Sequence, residues 1–253
     1  MAIDFVKVFD KFNSLNILII GDVMIDAYWW GGVNRISPEA PVPVCAVNEK
    51  ESRLGGAANV ALNIAAMGAN PILCSVVGED YQGHQLCELM KKQNMDTNGI
   101  VFSSNRPTTV KTRIIGNKTQ MLRIDEETDA NISLSEEKIF LDKIESIINT
   151  EKINAIIFQD YDKGVITEGV ITKIIEIAKR KNIPVTVDPK KRNFTAYKNV
   201  DLFKPNLKEL KEGLKIDFDN VDKDVLVEAS LLLHYKQKIE KVFITLSERG
   251  VFM

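Results

Sequence analysis

The feature that most constrains this chain is a recurring unit: a short apolar run rich in β-formers, closed by Gly or Asp and followed by a stretch of helical period. "LNILIIGD" is such a run, closed by Gly21-Asp22, as a strand buried on both faces requires. From Gly56, "GAANVALNIAAMGAN" sets Ala57, Val60, Ala61, Ile64 and Gly68 on one helical stripe and stops at Gly68. The same reasoning predicts strands at 71–77, 155–159, "IPVTVDP" and 241–246. It predicts helices at about 80–93, 135–148, 168–181, 206–213 and 223–235. Such alternation predicts an α/β fold with a mainly parallel central sheet covered by helices on both sides. In sheets of that kind, ligands bind beyond the carboxyl ends of the strands.

Two stretches break the rhythm. "APVPVCAVN" and "RPTTVKTRIIGNKTQMLRID" read as β-ribbon, the second a hairpin turning at Gly116-Asn117, because Asn and Gly tolerate the positive φ of a tight turn. They predict a small β-sheet lid from about 28–48 and 104–125. No repeat, linker or low-complexity tract divides the chain, so residues 1–253 read as one domain with that lid. At 253 residues and 45% hydrophobic, the chain can bury one sizeable core.

Charge and composition exclude several functions. Thirty-three basic against 35 acidic residues give a net charge of -2, which argues against a nucleic-acid or anionic-membrane partner. Cys45, Cys74 and Cys87 are odd in number, lack C-x-x-C spacing and sit among apolar neighbours, which suits a reducing cytoplasm. The first residues carry charges where a signal peptide needs an apolar stretch, and no apolar run approaches the ~20 residues of a membrane span. Neither a G-x-G-x-x-G nor a G-x-x-x-x-G-K-[ST] follows the first strand. His84 and His234 each lie in a helical segment without a matching partner, so zinc and Ser-His-Asp schemes are poor fits.

What remains is a set of polar residues at strand ends. Asp22 and Asp26 bracket "GDVMID", where carboxylates can accept hydrogen bonds from vicinal sugar hydroxyls; Asp22 can equally cap a turn. Gly55-Gly56 allows close backbone approach to a ligand or tight helix packing, and Asn59 reaches the same place. Lys111 and Arg113 share one face of a strand with Arg123 on the returning strand, as a phosphate clamp or as charges guarding an exposed edge. "QDYDKG" brings Asp160 and Lys163 to the same rim, and "VDPKKR" brings Asp188, Lys190, Lys191 and Arg192. Asn206 and Glu209 have the spacing of a helix capping box, and also of a pair that could hold waters around magnesium.

In combination, these motifs resemble the ribokinase-like (phosphofructokinase-B type) sugar kinases, and within them the bacterial D-glycero-β-D-manno-heptose 7-phosphate kinases. The resemblance rests on "GDVMIDAYWWGGVNRISPEAPVPV" and "RLGGAANVALNIAAMGAN", supported by "TVKTRII", "QMLRID", "QDYDKG", "VDPK", "KPNLKEL" and "TLSERG". It runs in order from about Leu15 to Met253 and implies a three-layer α/β/α sandwich. It also implies that Asp22, Asp26, Gly55, Gly56, Asn59 and Asp160 line the sugar site, with Lys111, Arg113 and Arg123 reaching from the lid to the 7-phosphate. Asn206 and Glu209 match an N-x-x-E motif that organises magnesium and nucleotide phosphates, Glu209 through water. Thr245, Ser247 and Gly250 match the start of the ATP pocket, and Lys190 faces phosphates. The implied reaction is transfer from ATP to the anomeric hydroxyl, giving the 1,7-bisphosphate of ADP-heptose synthesis for lipopolysaccharide core. A homodimer through the lid is a further implication.

The resemblance has one departure. Family members continue past "SERG" to a D-T-x-G-A-G-D segment that supplies an anion hole and the catalytic base, and nothing in this chain matches it. The expectation is therefore a kinase fold incomplete at its C-terminus, its base beyond Met253. The alternatives are an inactive fragment that at most binds sugar phosphate, or a kinase for a different sugar.

Overall fold

The computed structural model describes residues 4–216 and 222–253. Helix α1 (Phe5–Phe12) leads into strand β1 (Asn16–Gly21), and only Asp22 separates β1 from β2 (Val23–Ile36). There follow β3 (Pro43–Gly56), α2 (Ala57–Ala66), β4 (Asn70–Gly78), α3 (Tyr81–Lys92), β5 (Ile100–Ser103), β6 (Val110–Gly116) and β7 (Thr119–Glu126). The second half runs α4 (Leu134–Thr150), β8 (Ala155–Gln159), α5 (Glu168–Lys181), β9 (Val185–Asp188), β10 (Leu202–Phe203), α6 (Leu207–Leu214) and α7 (Lys223–Gln237). The chain closes with β11 (Lys241–Val242), β12 (Ile244–Thr245), a single 3₁₀ turn (Ser247–Arg249) and β13 (Val251–Phe252).

Seven strands form the main sheet in the order β11-β10-β9-β8-β1-β4-β5, every neighbouring pair parallel. Strand β1 shows why it lies at the centre. Leu18 and Ile20 enter one apolar cluster with Phe140, Ile144 and Ile174, while Ile17 and Ile19 enter a second with Ala57, Ala61 and Leu86. A run apolar at both parities is soluble only when helices cover both faces. Ser133 and Glu136 close a reciprocal capping box at the start of α4, so that helix begins where its orphan amides are satisfied. The chain leaves β1 toward β4 and β5 on one side and toward β8 to β11 on the other. The order therefore switches between β1 and β8, at the carboxyl ends Gly21 and Gln159, the place where sheets of this kind bind ligands.

The second sheet has four strands in the order β3-β2-β6-β7. It begins at Val23, so "GDVMID" and "ESRLGG" are parts of its long strands. The hairpin turn centres on Asn117 and Lys118, at φ 50° and 68°, one residue later than expected. Asn117 is held there because its side-chain amide donates to the Val33 carbonyl at 3.0 Å and accepts from the Val33 amide at 3.2 Å.

Helix α5 spans the expected residues, and the other helices read from the sequence agree to within two residues at each end, the usual fraying margin. Helix α1, β5 and the two-residue β10 were not legible. The strand expected at 241–246 is split: β11 joins the main sheet, whereas β12 pairs antiparallel with β13.

Candidate active site

Asp22 stands at the switch point, and its carboxylate faces inward. Oδ2 accepts from the amides of Tyr161 at 2.8 Å and Lys163 at 3.3 Å, and Oδ1 from that of Val165 at 3.1 Å. The residue is 1% exposed. Burial is the main cause that pushes its pKa up to about 6; the charge of Asp160 adds to it, and the three amides pull the other way. Asp160 is wholly buried, accepting from the Asp162 amide at 2.8 Å, Asn193 Nδ2 at 3.0 Å and the Tyr197 hydroxyl at 3.0 Å. Burial pushes its carboxyl up as well. The resemblance implies that both line the sugar site; in the structure their oxygens accept from the protein, Asp22 in the turn-capping role its position also allows, with its three bonds holding the loop 160–165 beyond β8.

Asp26 is placed differently. It lies on β2 with its side chain partly exposed and accepts from Arg113 Nη1 at 2.6 Å. Gly55 and Gly56 have internal reasons to be glycine. A Cβ on Gly55 would lie 2.4 Å from Asp26 Oδ2, and one on Gly56, at φ +59°, 2.5 Å from the Asp22 carbonyl. The tight-packing reading of this pair is therefore met, and the same packing brings the end of β3 against Asp26. Asn59 is exposed in the first turn of α2.

Register collects the small sheet's charges on one face. Asp26 pairs with Lys111 and Tyr28 with Arg113, and across the next ladder Lys111 pairs with Asp125 and Arg113 with Arg123. Each expected cation already has a carboxylate. Lys111 donates to Asp125 at 2.9 Å and Glu127 at 2.7 Å, and Arg123 forks onto Asp125 at 2.8 and 3.0 Å. Sequence reasoning picked out the cations and missed these acids, although Asp125 follows Arg123 by two residues and so shares its face. It also missed Tyr28, whose ring lies between the guanidinium groups of Arg53 at 4.9 Å and Arg113 at 5.1 Å.

Farther along the sheet, Asn206 caps α6. It accepts from the Glu209 amide at 2.9 Å while Glu209 Oε2 accepts from the Asn206 amide at 2.9 Å. The other Glu209 oxygen pairs with Lys190. Burial pulls the Lys190 pKa down, but the hydrogen bond and charge of Glu209 outweigh it and hold the ammonium above its ordinary range. Asn206, Thr245, Ser247 and Gly250 line one open cleft of about 670 Å³, held together by a parallel bridge between Asn206 and Thr245. Lys190 and Glu209 stand beside that cleft rather than in its wall.

The two halves meet at Tyr161. Its amide is held by Asp22, and its ring lies 5.9 Å from Lys190 Nζ, which is held by Glu209. For a metal the fit is poor. Among the described residues no group of three or more His, Cys, Asp or Glu is arranged to hold an ion, and both Glu209 oxygens are already bonded.

Residues 14–253 match the sequence model of the pfkB family carbohydrate kinases. The chain belongs to this family. Among curated relatives, the bifunctional protein HldE of Wolinella succinogenes is 41% identical over 235 residues, covering 93% of this chain and 49% of that protein. HldE of Haemophilus influenzae is 38% identical over 241 residues, covering 95% and 48%. The chain spans about half the length of the curated relatives it matches.

Among solved structures, the tetrameric inhibited form of Escherichia coli phosphofructokinase-2 superposes with a TM-score of 0.71 at 18% identity, covering 94% of this chain and 75% of that one. Arabidopsis thaliana ribokinase complexed with ribose and ATP gives 0.64 at 14% identity, covering 94% and 73%. At these identities the likeness is one of fold: a ribokinase-like kinase architecture of main sheet plus smaller sheet.

For this pfkB-family chain, Asp26, Gly55, Gly56, Lys111, Arg113 and Arg123 come together at the base and face of the small sheet. Asn206, Thr245, Ser247 and Gly250 come together at the cleft. Asp22 and Asp160 are buried and bonded within the protein, and Lys190 pairs with Glu209 beside the cleft.

Proposed function

We propose that this chain carries the sugar-facing and nucleotide-facing surfaces of an ATP-dependent kinase for D-glycero-β-D-manno-heptose 7-phosphate, which phosphorylates the anomeric hydroxyl to give the 1,7-bisphosphate. The observation that carries this reading is Asp26, fixed by Arg113 at 2.6 Å, on the one face of the small sheet that also gathers Lys111 and Arg123. A carboxylate beside three cations suits a ligand with hydroxyls at one end and phosphate at the other. The 38–41% identity to HldE proteins supports the heptose assignment.

In this reading Asp26 accepts from sugar hydroxyls, and Arg113 holds Asp26 in place while turning its remaining donors to the phosphate. ATP occupies the cleft at Asn206, Thr245, Ser247 and Gly250, with Lys190 beside its phosphates and magnesium carried by the nucleotide. No residue of this chain is assigned as the base. The small sheet acts as a lid, and its face away from the cations carries Leu122 and Ile124, 57% and 43% exposed. We propose a cytoplasmic homodimer through that face, which Leu122→Lys should return to monomer mass in light scattering; an unchanged mass would exclude it.

The test uses the complete protein with ATP and a panel of heptose 7-phosphate, fructose 6-phosphate and ribose. Heptose 7-phosphate should lead in kcat/KM by at least ~100-fold, the discrimination expected where buried polar groups are left unpaired by the wrong sugar. Equal values across the panel would refute the heptose assignment. Arg113→Ala should raise the KM for the sugar phosphate by ~10-fold or more, the loss of a charged hydrogen bond.

A further inference from the structure

Glu127 lies just past the end of β7, where the chain leaves the small sheet for α4. Its Oε2 accepts from Lys111 Nζ at 2.7 Å, and its Oε1 accepts from Lys163 Nζ at 2.7 Å. Lys111 belongs to the small sheet and Lys163 to loop 160–165 of the body, so one carboxylate spans the seam between them. The three side chains are only 16%, 18% and 25% exposed. An ion pair at that depth is less screened than an open surface pair.

Lys163 is fixed at its backbone as well. Its amide donates to Asp22 at 3.3 Å and its carbonyl accepts from Arg106. An ammonium has three donors. Lys163 spends one on Glu127, and Lys111 spends two, on Asp125 and Glu127. The remaining donors of the two lysines lie on either side of one carboxylate, across the seam where the Asp26–Arg113 face meets the body.

We propose that Glu127 is a positioning residue, which sets Lys111 and Lys163 against each other as a two-lysine seat for the phosphate of the sugar substrate. This rests on the sugar-phosphate reading above and adds Lys163, a body residue, to a phosphate site otherwise built from the lid. Two long lysine side chains each lose rotamer freedom on binding an anion. A carboxylate that orders them beforehand removes that cost from the binding step. It also ties the small sheet to the loop that Asp22 organises, so the seat exists only when sheet and body are in register.

The test is a double-mutant cycle in the complete protein: Glu127→Gln, Lys163→Met and the pair together, each assayed with heptose 7-phosphate and ATP. Each single variant should raise the sugar-phosphate KM by ~10-fold, with kcat and the KM for ATP within ~2-fold. The double variant should be little worse than either single, because both dismantle one arrangement. Lys163→Arg should recover most of the loss. A KM that falls in Glu127→Gln would show that the carboxylate competes with the substrate, and would overturn the proposal; so would unchanged KM values or effects that multiply to ~100-fold. If the wild type does not turn over heptose 7-phosphate, the substrate reading fails separately. The same four proteins are then titrated calorimetrically with inorganic phosphate, where a Kd that does not vary among them would overturn the seat.

Discussion

Asp22 brings two opposing physical effects to one carboxylate, and Asp22→Asn measures which is larger. Three amides favour its charged form, while burial and the nearby Asp160 disfavour it; the net result is a pKa of about 6 against an ordinary 3.8. The folded state therefore binds a proton that the unfolded chain has released between those values. Stability from this group is complete below the ordinary value and is lost as pH rises through about 6. At 1.36 kcal/mol per pH unit, the full gap amounts to about 3 kcal/mol, of which about 2 kcal/mol is lost between pH 4 and pH 7. Asn has nearly the same shape and cannot ionise. Urea unfolding of both proteins at pH 4, 5, 6 and 7 should show the wild type losing about 2 kcal/mol relative to the variant across that range. A difference constant to within ~0.5 kcal/mol would refute the reasoning, because it would mean no net shift. A wild type that gains on the variant with rising pH would show that the amides prevail over burial. Asp160 repels the same carboxylate, so the two titrate together and the assay reads the total change between pH 4 and pH 7.

Gly56→Ala should destabilise the fold by about 2–3 kcal/mol in the same assay, since φ +59° is unfavourable for alanine and its Cβ would press on the Asp22 carbonyl; a loss under ~0.5 kcal/mol would mean that the backbone there relaxes freely. Glu209→Gln breaks the ion pair with Lys190 but keeps an acceptor for the Asn206 amide. It should raise the KM for ATP several-fold and cost no more than about 1 kcal/mol of stability, and an unchanged KM for ATP would separate Lys190 from the nucleotide.

Elements whose cause is local were legible in the sequence. Strand β1 declares burial on both faces through an unbroken apolar run, and α5 declares its span through Thr167 at its start and Asn182, at φ 53°, at its end. Asn206 and Glu209 had the spacing of a capping box or of a magnesium-organising pair, and the structure shows the box. The short strands β5 and β10 were hidden because four residues or two carry no period, and pairing with β4 and β9 makes them strands. For the site, residue types were legible and partners were not. Asp22 and Asp26, four residues apart, look equivalent in "GDVMID", yet one is wrapped by amides about 140 residues away and the other points along the small sheet.

The sequence by itself thus determined the layered architecture, the helix limits and the set of polar residues at strand ends, because periodicity, capping and glycine placement act over a few residues. Only the tertiary structure decided which carboxylates are buried in hydrogen bonds to the protein and which stay partly exposed on the small sheet. That choice depends on the order β8-β1-β4, which brings loop 160–165 onto Asp22, and on the seam that brings Glu127 between Lys111 and Lys163. Desolvation and charge pairing are set by whatever the folded chain brings within a few ångströms, and separation along the sequence carries no record of it.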